Sequence, residues 1–289
     1  MNPNHLATLL AVLDEGTFEA AADALAITPS AVSQRIKALE SSTGRVLLHR
    51  TVPATATEAG EVLAQAARRM ALLQAETDAQ LKGRIAQVPL SIAINADSLA
   101  TWFRPVFGQV ARWDNPTLRL VVFDEAQTLK LLRRGDVLGA VTREPKAVSG
   151  CDVERLGTMR YRAMAAGWLR DKYTMEDGHI DWAAMPALRY GPHDALQNSD
   201  LKGRLDSPPR NRRISEIPSS EAFLEAIRLG LGWGMLPDIQ SEDLLAAGEL
   251  VRLDEQVEDV TLYWQRWRLD SPLLDSLTEA VLRAAAGLR

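Results

Sequence analysis

The sequence is poor in cysteine and in long apolar runs, and each shortage excludes a class of structure. Its 289 residues include one cysteine, Cys151, so an intrachain disulfide and a cysteine-cluster metal site are both excluded. A lone cysteine suits a reducing compartment, and we expect a cytoplasmic protein. No apolar run is long enough to span a bilayer and no charged-then-apolar leader is present, so we expect neither a membrane partner nor export.

Sequence motifs of catalysis are also missing. The sequence has no His-Glu metal motif, no P-loop and no G-x-S-x-G elbow, and its four histidines are widely spaced. The run GLGWGMLP at 230–237 has the glycines of a nucleotide loop, but it leads into a strand and a proline instead of a helix. We interpret it as a close-packed turn. We therefore expect no enzyme, no cofactor and no metal.

Positive charge is scarce and local. The net charge is −5, which is the wrong sign for a protein that binds DNA over its whole surface. Between Ser33 and Arg50, however, the four basic residues Arg35, Lys37, Arg45 and Arg50 face one acidic residue, Glu40. Such a protein should bind non-specific DNA weakly and depend on base contacts and dimerisation.

The segment 18–40 predicts two short helices joined by a tight turn. Thr17 is a suitable N-cap for the first helix, Thr28 can cap the second, and Pro29 suits a first helical position. Helical spacing predicts a buried stripe on each helix. These stripes are Phe18, Ala21, Ala22 and Leu25 on the first helix, and Val32, Ile36 and Leu39 on the second.

The face of the second helix that remains is polar and mostly uncharged. Short donors and acceptors of this kind can reach base edges in a major groove, with basic residues nearby for phosphates. The alternative is an ordinary helical hairpin with a solvated face. The candidate DNA-binding residues are Thr28, Pro29, Ser30, Ser33, Gln34, Arg35, Lys37 and Arg50.

The neighbouring segments complete this module and extend it. Residues 3–15 predict an amphipathic helix that closes a three-helix core, and residues 46–55 predict a small two-stranded wing. A helix over 58–84 follows, about 40 Å long at ~1.5 Å per residue. Its residues Ala59, Leu63, Ala66, Met70, Leu73 and Thr77 form a heptad seam. The seam predicts a coiled-coil-like homodimer contact, and the alternative is packing on the helix's own domain.

After a hinge at 87–89 the apolar pattern changes to short continuous runs that alternate with helical segments. This order indicates a parallel sheet with helices on its faces. We predict helices near 98–112, 126–134, 194–205, 219–229, 237–247 and 272–287, and strands that include 161–166 and 260–267. The predicted domains are 1–58, a linker over 59–88, and 89–289 in two lobes, the first about 89–162 with 268–289 and the second about 163–267.

A cleft between the lobes would hold polar side chains from several loops. Ligands bind beyond the carboxyl ends of parallel strands, where Asp97, Asp124 and Glu125 lie. Ser98, Ser219 and Ser220 lie at predicted helix starts, whose N–H groups favour a carboxylate. A ligand with one carboxylate and a cationic group, such as a basic amino acid, would satisfy both sets. Each of these residues could instead be a cap or a solvated turn residue, and we interpret His193 as a surface turn residue.

A dense set of these residues carries a family pattern. The matching positions are Thr17-Phe18, Ala21-Ala22, Leu25, Pro29-Ser30, Val32-Ser33, Ile36, Leu39-Glu40, Gly44, Leu47-Leu48, Arg50, and Thr57 to Gly60. In this pattern the chain resembles the LysR-type transcriptional regulators, and the resemblance covers essentially its whole length. It implies an N-terminal winged helix-turn-helix, a long dimerisation linker helix, and a two-lobed α/β effector domain like a periplasmic solute-binding protein. It also implies binding to two-fold-related double-stranded DNA, a homodimer that pairs into a homotetramer, and RNA polymerase as a candidate partner.

Three further segments narrow the resemblance to one branch. NADSLATWF at 95–103, VTREP at 141–145 and PSSEAF at 218–223 resemble the LysG/ArgP branch of this family. The resemblance implies L-lysine, L-arginine or L-histidine as effector, and activation of an amino-acid exporter gene. The alternatives are a regulator of this family with a different effector and, more remotely, a solute-binding protein or an enzyme on the same α/β fold.

Overall fold

The computed structural model describes residues 2–82, 89–113, 117–123, 125–192, 194–204 and 212–288. Within these ranges a small helical module, one long helix and an α/β domain follow each other along the chain, which confirms the predicted architecture. Outside the described residues lie the first two positions of the predicted hinge at 87–89, Asp124 and His193.

The N-terminal module is a three-helix core with a small wing. Its elements are α1 (Pro3–Glu15), α2 (Phe18–Ala24), α3 (Pro29–Thr43), β1 (Leu48–His49) and β2 (Thr55–Ala56). Both predicted caps are present, because Thr17 Oγ1 accepts from Ala20 N at 3.1 Å and Thr28 Oγ1 accepts from Ala31 N at 3.2 Å. The inner residues of α3 are fully buried against α1 and α2, as predicted, whereas Phe18 and Leu25 are only half-buried.

The long helix α4 (Glu58–Lys82) is buried against the N-terminal module in its first turns and exposes apolar residues farther along. Its first turns pack on the N-terminal module, where Leu63, Ala64 and Ala67 are buried in the module's core. The prediction that Leu63 belongs to a dimer seam is therefore wrong for this part of the helix. Farther along α4, Met70 and Leu73 remain exposed at 45% and 40%, as residues of a dimer seam would be in a single chain.

The α/β domain contains the remaining elements. They are β3 (Pro89–Ile94), α5 (Ala96–Ala100), α6 (Arg104–Val110), β4 (Thr117–Val122), α7 (Glu125–Arg134), β5 (Gly139–Thr142), β6 (Cys151–Ala165), α8 (Gly167–Tyr173), β7 (Ala187–Arg189), α9 (Ala195–Arg204), β8 (Ile214–Glu216), α10 (Ser220–Arg228), β9 (Gly234–Pro237), α11 (Asp238–Ala246), β10 (Val251–Arg252), β11 (Glu258–Trp267) and α12 (Pro272–Ala285). None of the helices in the described part of the chain is long and apolar enough to cross a membrane.

One long strand joins the two lobes. The main sheet has the order β10-β6-β11-β5-β3-β4, with β9 also paired to β6. The strands β3, β4 and β5 are parallel, as predicted, and they form the first lobe with β11 and the first half of β6. The second half of β6 pairs with β9 and β10 in the second lobe. The lobes therefore share a continuous backbone, and relative movement must bend or twist β6.

Three predicted boundaries differ from the structure. The predicted helix over 98–112 is two short helices, α5 and α6, and Pro105 lies in the first turn of the second one. The strand predicted at 161–166 is the end of β6, which begins at Cys151. The prediction placed β11 in the second lobe, but β11 pairs with β5 and β6 and so belongs to the sheet of the first lobe.

The glycine-rich run 230–237 is a close-packed turn that leads into β9, as interpreted from the sequence. Gly230 has a φ of +80°, and a Cβ there would lie 2.2 Å from the Trp168 ring. Only glycine combines that conformation with that contact. The run therefore joins α10 to the sheet, and its glycines lie before or at the start of a strand and not at the start of a helix.

Candidate functional sites

The exposed face of α3 is the first candidate site. Ser30, Ser33, Gln34 and Lys37 follow the spacing i, i+3, i+4, i+7, so they lie on one side of the helix. Ser30, Gln34 and Lys37 are exposed, and Ser33 is half-buried. The opposite side of α3 holds the fully buried Val32, Ile36 and Leu39. A straight helix held by one buried face thus presents short polar side chains and one lysine to solvent.

Two of the predicted basic residues are held by neighbours. Arg35 is half-buried, and its Nη1 donates to Thr8 Oγ1 at 3.4 Å, so its guanidinium faces α1. Arg50 is exposed, and its guanidinium lies 5.6 Å from the centre of the Phe18 ring, which brings the end of β1 close to α2. Thr28 and Pro29 are exposed at the start of α3.

Glu40, the one acidic residue between Ser33 and Arg50, is engaged by the backbone that leads into the wing. Glu40 Oε1 accepts from Leu47 N at 2.9 Å, so the carboxylate anchors the wing to α3. The Glu40 carboxylate is thus engaged by a backbone donor of the module. The surface between Ser30 and Lys37 therefore keeps a positive balance.

The second candidate site lies where the two lobes meet, and Asp97 is at its centre. Asp97 Oδ1 accepts from Ser220 Oγ at 2.7 Å, and Asp97 Oδ2 accepts from the Tyr161 hydroxyl at 3.0 Å. Asp97 belongs to α5 of the first lobe, Tyr161 to the shared strand β6, and Ser220 to α10 of the second lobe. Gln240 Nε2 donates to Ser220 Oγ at 3.2 Å and orients that hydroxyl. One carboxylate thus joins both lobes.

Burial is the main electrostatic influence on Asp97, and nearby acids add a smaller one. Burial raises the pKa of the Asp97 carboxyl above its ordinary value of 3.8; the hydrogen bonds from Ser220 and Tyr161 partly oppose this, and the negative charges of Asp194 and Glu221 add to it. Burial also raises the pKa of the Tyr190 hydroxyl, with a contribution from Asp97 and Glu221. Three acidic side chains therefore act on one another here, and a cation beside Asp97 would lower their mutual repulsion.

A second contact, an exposed ion pair, also joins the two lobes at this junction. Arg104 Nη2 lies 3.1 Å from Glu221 Oε1, and both side chains are more than half exposed. Exposed pairs of this kind contribute little to stability. Their geometry matters more, because Arg104 and Glu221 belong to α6 of the first lobe and α10 of the second. Together with the contact between Asp97 and Ser220, the pair holds α5 and α6 against the start of α10.

The structure brings together some of the predicted cleft residues and not others. Asp97 and Ser220 are in direct contact, and Ser219 is the N-cap of α10, where its Oγ accepts from Ala222 N at 3.4 Å. Ser98 does not lie at a free helix start as predicted: α5 is capped by Asn95, whose side chain accepts from Ser98 N, and Ser98 is fully buried against Met159. Glu125 begins α7, and Asp124 lies outside the described residues.

Sequence reasoning missed Tyr161, Tyr190, Asp194, Glu221 and Gln240. Glu221 follows directly after the predicted Ser219-Ser220 pair, so the sequence could have indicated it. Asp194 caps α9 by accepting from Tyr190 N and Gln197 N, and nothing local shows that it also faces Asp97. Tyr161 begins a predicted strand at the boundary between the lobes, but nothing local indicates that its hydroxyl contacts Asp97. Among the described residues no cluster of His, Cys, Asp and Glu could hold a metal ion.

Comparison with known proteins assigns both parts of the chain to one family. Residues 3–61 match the model described as bacterial regulatory helix-turn-helix protein, lysR family, and residues 86–286 match the LysR substrate binding domain. The chain is 63% identical over 290 residues to the lysine export transcriptional regulatory protein LysG of Corynebacterium glutamicum, with 100% of both chains covered.

Solved structures give the same result. Full-length LysG from Corynebacterium glutamicum with bound effector Arg is 62% identical, has a TM-score of 0.83, and is matched over 100% of both chains. ArgP from Mycobacterium tuberculosis is 39% identical with a TM-score of 0.85, over 100% of this chain and 98% of that one. On the strength of these matches and of the two-part fold, the chain belongs to the LysR family of bacterial helix-turn-helix regulators.

Proposed function

We propose that this protein is a DNA-binding transcriptional regulator that senses a basic amino acid, L-lysine, L-arginine or L-histidine, and activates an amino-acid exporter gene. In this proposal α3 reads the major groove with Ser30, Ser33, Gln34 and Lys37. Asp97 and its acidic neighbours take the cationic effector. The protein works as a homo-oligomer built through α4, and it binds its effector without converting it.

The buried carboxylate of Asp97 is the observation that carries the effector half of the proposal. It sits at the junction of both lobes, is surrounded by further acids, and is satisfied only by the neutral hydroxyls of Ser220 and Tyr161 among the described residues. An ammonium or guanidinium group would give it a charge-assisted hydrogen bond. The first N–H groups of α10 lack intrahelical partners and could take the effector's own carboxylate.

A neutral or purely acidic effector fits this junction less well. An acidic ligand would add charge to a site already crowded by Asp97, Asp194 and Glu221. A separate groove beside α10 is lined by Trp168, Leu229 and Leu231, with one acidic residue, Glu225, which pairs with Arg228. A relative with 62% identity was solved with arginine bound, which supports the same effector class here.

A DNA-binding experiment tests the proposal that α3 contacts the bases of the operator. The double variant Ser33→Ala with Gln34→Ala removes two short polar side chains from α3 and leaves its buried face intact. We expect it to lose at least about tenfold in preference for the selected operator over random DNA, since a good base contact is worth about 1–3 kcal/mol. The operator would be selected from a random pool with the unmodified chain, and affinities measured by fluorescence anisotropy.

The matched control is Ser41→Ala with Ser42→Ala on the last turn of the same helix, where both hydroxyls bond to backbone carbonyls of α3. The control should keep the operator preference of the unmodified chain. L-arginine binding, followed by calorimetry, should be unchanged in both double variants. An undiminished operator preference in the Ser33/Gln34 variant would rule out α3 as the reading element.

A further inference from the structure

The linker helix α4 is docked on the first lobe of its own chain by several directional contacts. Gln65 Nε2 donates to the carbonyl of Arg133 at the end of α7, and Arg134 Nε lies 3.3 Å from Glu61 Oε1. The Arg69 guanidinium lies 3.7 Å from the centre of the Trp267 ring. The helix therefore touches both the end of α7 and the end of β11.

A glycine permits this close approach. Gly135 has a φ of +74°, and a Cβ there would lie 2.9 Å from the Cα of Gln65. Any other residue would push the end of α7 away from α4, in addition to the strain of a left-handed conformation. The contact between the two helices therefore depends on backbone proximity as well as on charge.

Arg68 connects three parts of the molecule. Its Nη1 and Nη2 donate to the two oxygens of Asp14 on α1 at 3.1 Å and 2.8 Å, and the same Nη2 donates to Asp136 Oδ1 at 3.1 Å. Asp136 also lies 3.5 Å from Arg134 Nε. The Arg68 side chain is only 16% exposed, so its two ion pairs are less screened than surface pairs. We call Arg68, Asp14 and Asp136 the hub.

The charge on the hub arginine is well compensated. Burial alone would lower the pKa of Arg68, but the hydrogen bonds and charges of Asp14 and Asp136 outweigh it and raise the pKa. Removing one carboxylate would leave a partly buried guanidinium with half of its compensation. Such a loss typically changes the preferred arrangement of the groups around it, because an unpaired buried charge is costly.

The helix α7 runs between the effector junction and the hub. Strands β3 and β4 are parallel and in register, with Ile94 opposite Val122, so α7 begins at the same sheet edge as Asp97. Its 10 residues span about 15 Å and end at Arg134, one residue before Gly135. Leu132 of α7 packs in one buried cluster with Trp267, on which Arg69 rests. Movement of α7 would therefore reach α4 through packed and ion-paired groups.

We propose that the hub couples the effector junction to DNA reading, with Arg68 acting as a positioning residue that ties α1 of the DNA-binding module to the end of α7. The proposal rests on the proposed function, because it describes how effector binding at the same site changes the binding of DNA. While the hub is intact, the orientation of the module follows the first lobe. Without the hub, the two parts remain folded, and each binds its ligand without sensing the other.

The test measures the coupling itself. The operator affinity of the full chain is determined by anisotropy with and without saturating L-arginine, and the ratio of the two affinities is the coupling factor. Asp136→Asn removes the lobe end of the hub, and Asp14→Asn removes the module end. We expect the coupling factor of each variant to differ from that of the unmodified chain by roughly fivefold, in the direction of one. The affinity for arginine in the absence of DNA should stay within about twofold of that of the unmodified chain.

Two further variants separate positioning from general damage. Asp136→Glu keeps the charge and should restore most of the coupling. Asp259→Asn breaks the exposed pair between Arg160 and Asp259 in the same domain, 3.2 Å apart and distant from α4 in the fold, and should leave the coupling unchanged. If Asp136→Asn does not fold, Asp14→Asn carries the test.

The outcomes distinguish the two proposals. If Asp136→Asn and Asp14→Asn both keep the coupling factor of the unmodified chain, the proposed role of the hub is wrong, and the proposed function is unaffected. An unmodified chain that binds neither arginine nor a preferred operator overturns the proposed function itself. A chain that binds both ligands with a coupling factor of one overturns the hub alone.

Discussion

A single carboxylate, Asp97, connects the charge of the effector to the position of the lobes. The cost of burying it is visible in its raised pKa, and the neutral donors Ser220 and Tyr161 offset that cost only partly. Because the folded-state pKa lies above the unfolded one, the free protein loses stability as the pH rises through the folded value. A bound cation would remove this penalty, so ligand binding and ionisation of Asp97 are linked.

The variant Asp97→Asn tests this linkage. We expect it to weaken L-arginine or L-lysine binding at least tenfold, because a hydrogen bond to a charged group contributes about 1.5–3 kcal/mol. In the unmodified chain, the affinity should fall as the pH decreases through the raised pKa of Asp97, at a higher pH than for an ordinary aspartate. Calorimetry between about pH 4.5 and pH 8 would follow both effects.

The controls for this prediction are a neutral ligand and a remote acid. Asp97→Asn should affect an uncharged amino acid far less than lysine, and Asp270→Asn, on an exposed segment between β11 and α12, should change neither. Equal losses for charged and uncharged ligands would mean that Asp97 does not read the charge of the effector.

Some apolar residues of α4 pack on its own N-terminal module, and others remain free for the proposed contact with a second copy of α4. Leu63, Ala64 and Ala67 are already buried, so the surface left for a second α4 begins near Met70 and Leu73. Replacing both by glutamate should dissociate the homodimer into monomers, since charges in an apolar seam are not compensated. Sedimentation velocity at micromolar concentration would measure this.

The control is Val257→Glu, which places a charge on a valine that is 40% exposed in the effector domain. That variant should remain dimeric. A Met70→Glu, Leu73→Glu chain that still sediments as the unmodified oligomer would show that α4 is not the main dimer contact.

How much could be predicted from the sequence also depends on the element. Helices α1 to α4 were predicted because caps, prolines and 3.6-residue periodicity agree locally. The sequence predicts one helix over 98–112 because the apolar periodicity continues through Pro105, which in the structure lies in the first turn of a second helix. The length of β6 and the place of β11 were missed, because strand pairing depends on distant partners and not on local pattern.

In the candidate site too, the residues with a local sequence signal could be predicted and those that depend on distant contacts could not. Asp97 could be predicted because it follows a buried strand, and Ser220 because it begins a capped helix. Ser98 was misplaced, since Asn95 starts the helix three residues earlier and takes the Ser98 N–H. The convergence of Asp194, Glu221 and Tyr161 on Asp97 depends on how the two lobes close, and a linear sequence does not contain that information in any local form.

At the scale of the whole molecule, the two lobes are joined by a continuous strand and by two contacts across the junction, Asp97 to Ser220 and Arg104 to Glu221. A ligand held between the lobes adds its binding free energy to the stability of the folded chain by mass action. At a concentration of 100 times Kd this amounts to about 2.7 kcal/mol. For a domain of this size, that corresponds to a rise in Tm of roughly 5–10 °C.

Thermal unfolding with matched ligands therefore tests the charge preference of the intact protein. L-arginine and L-citrulline have nearly the same shape, but only arginine carries the guanidinium cation that the acidic junction favours. We expect arginine, lysine or histidine to raise the Tm by several degrees at millimolar concentration and citrulline to raise it much less, with the difference lost in Asp97→Asn. A Tm rise that is the same for arginine and citrulline would mean that shape alone selects the effector, and the acids around Asp97 would then need a different role.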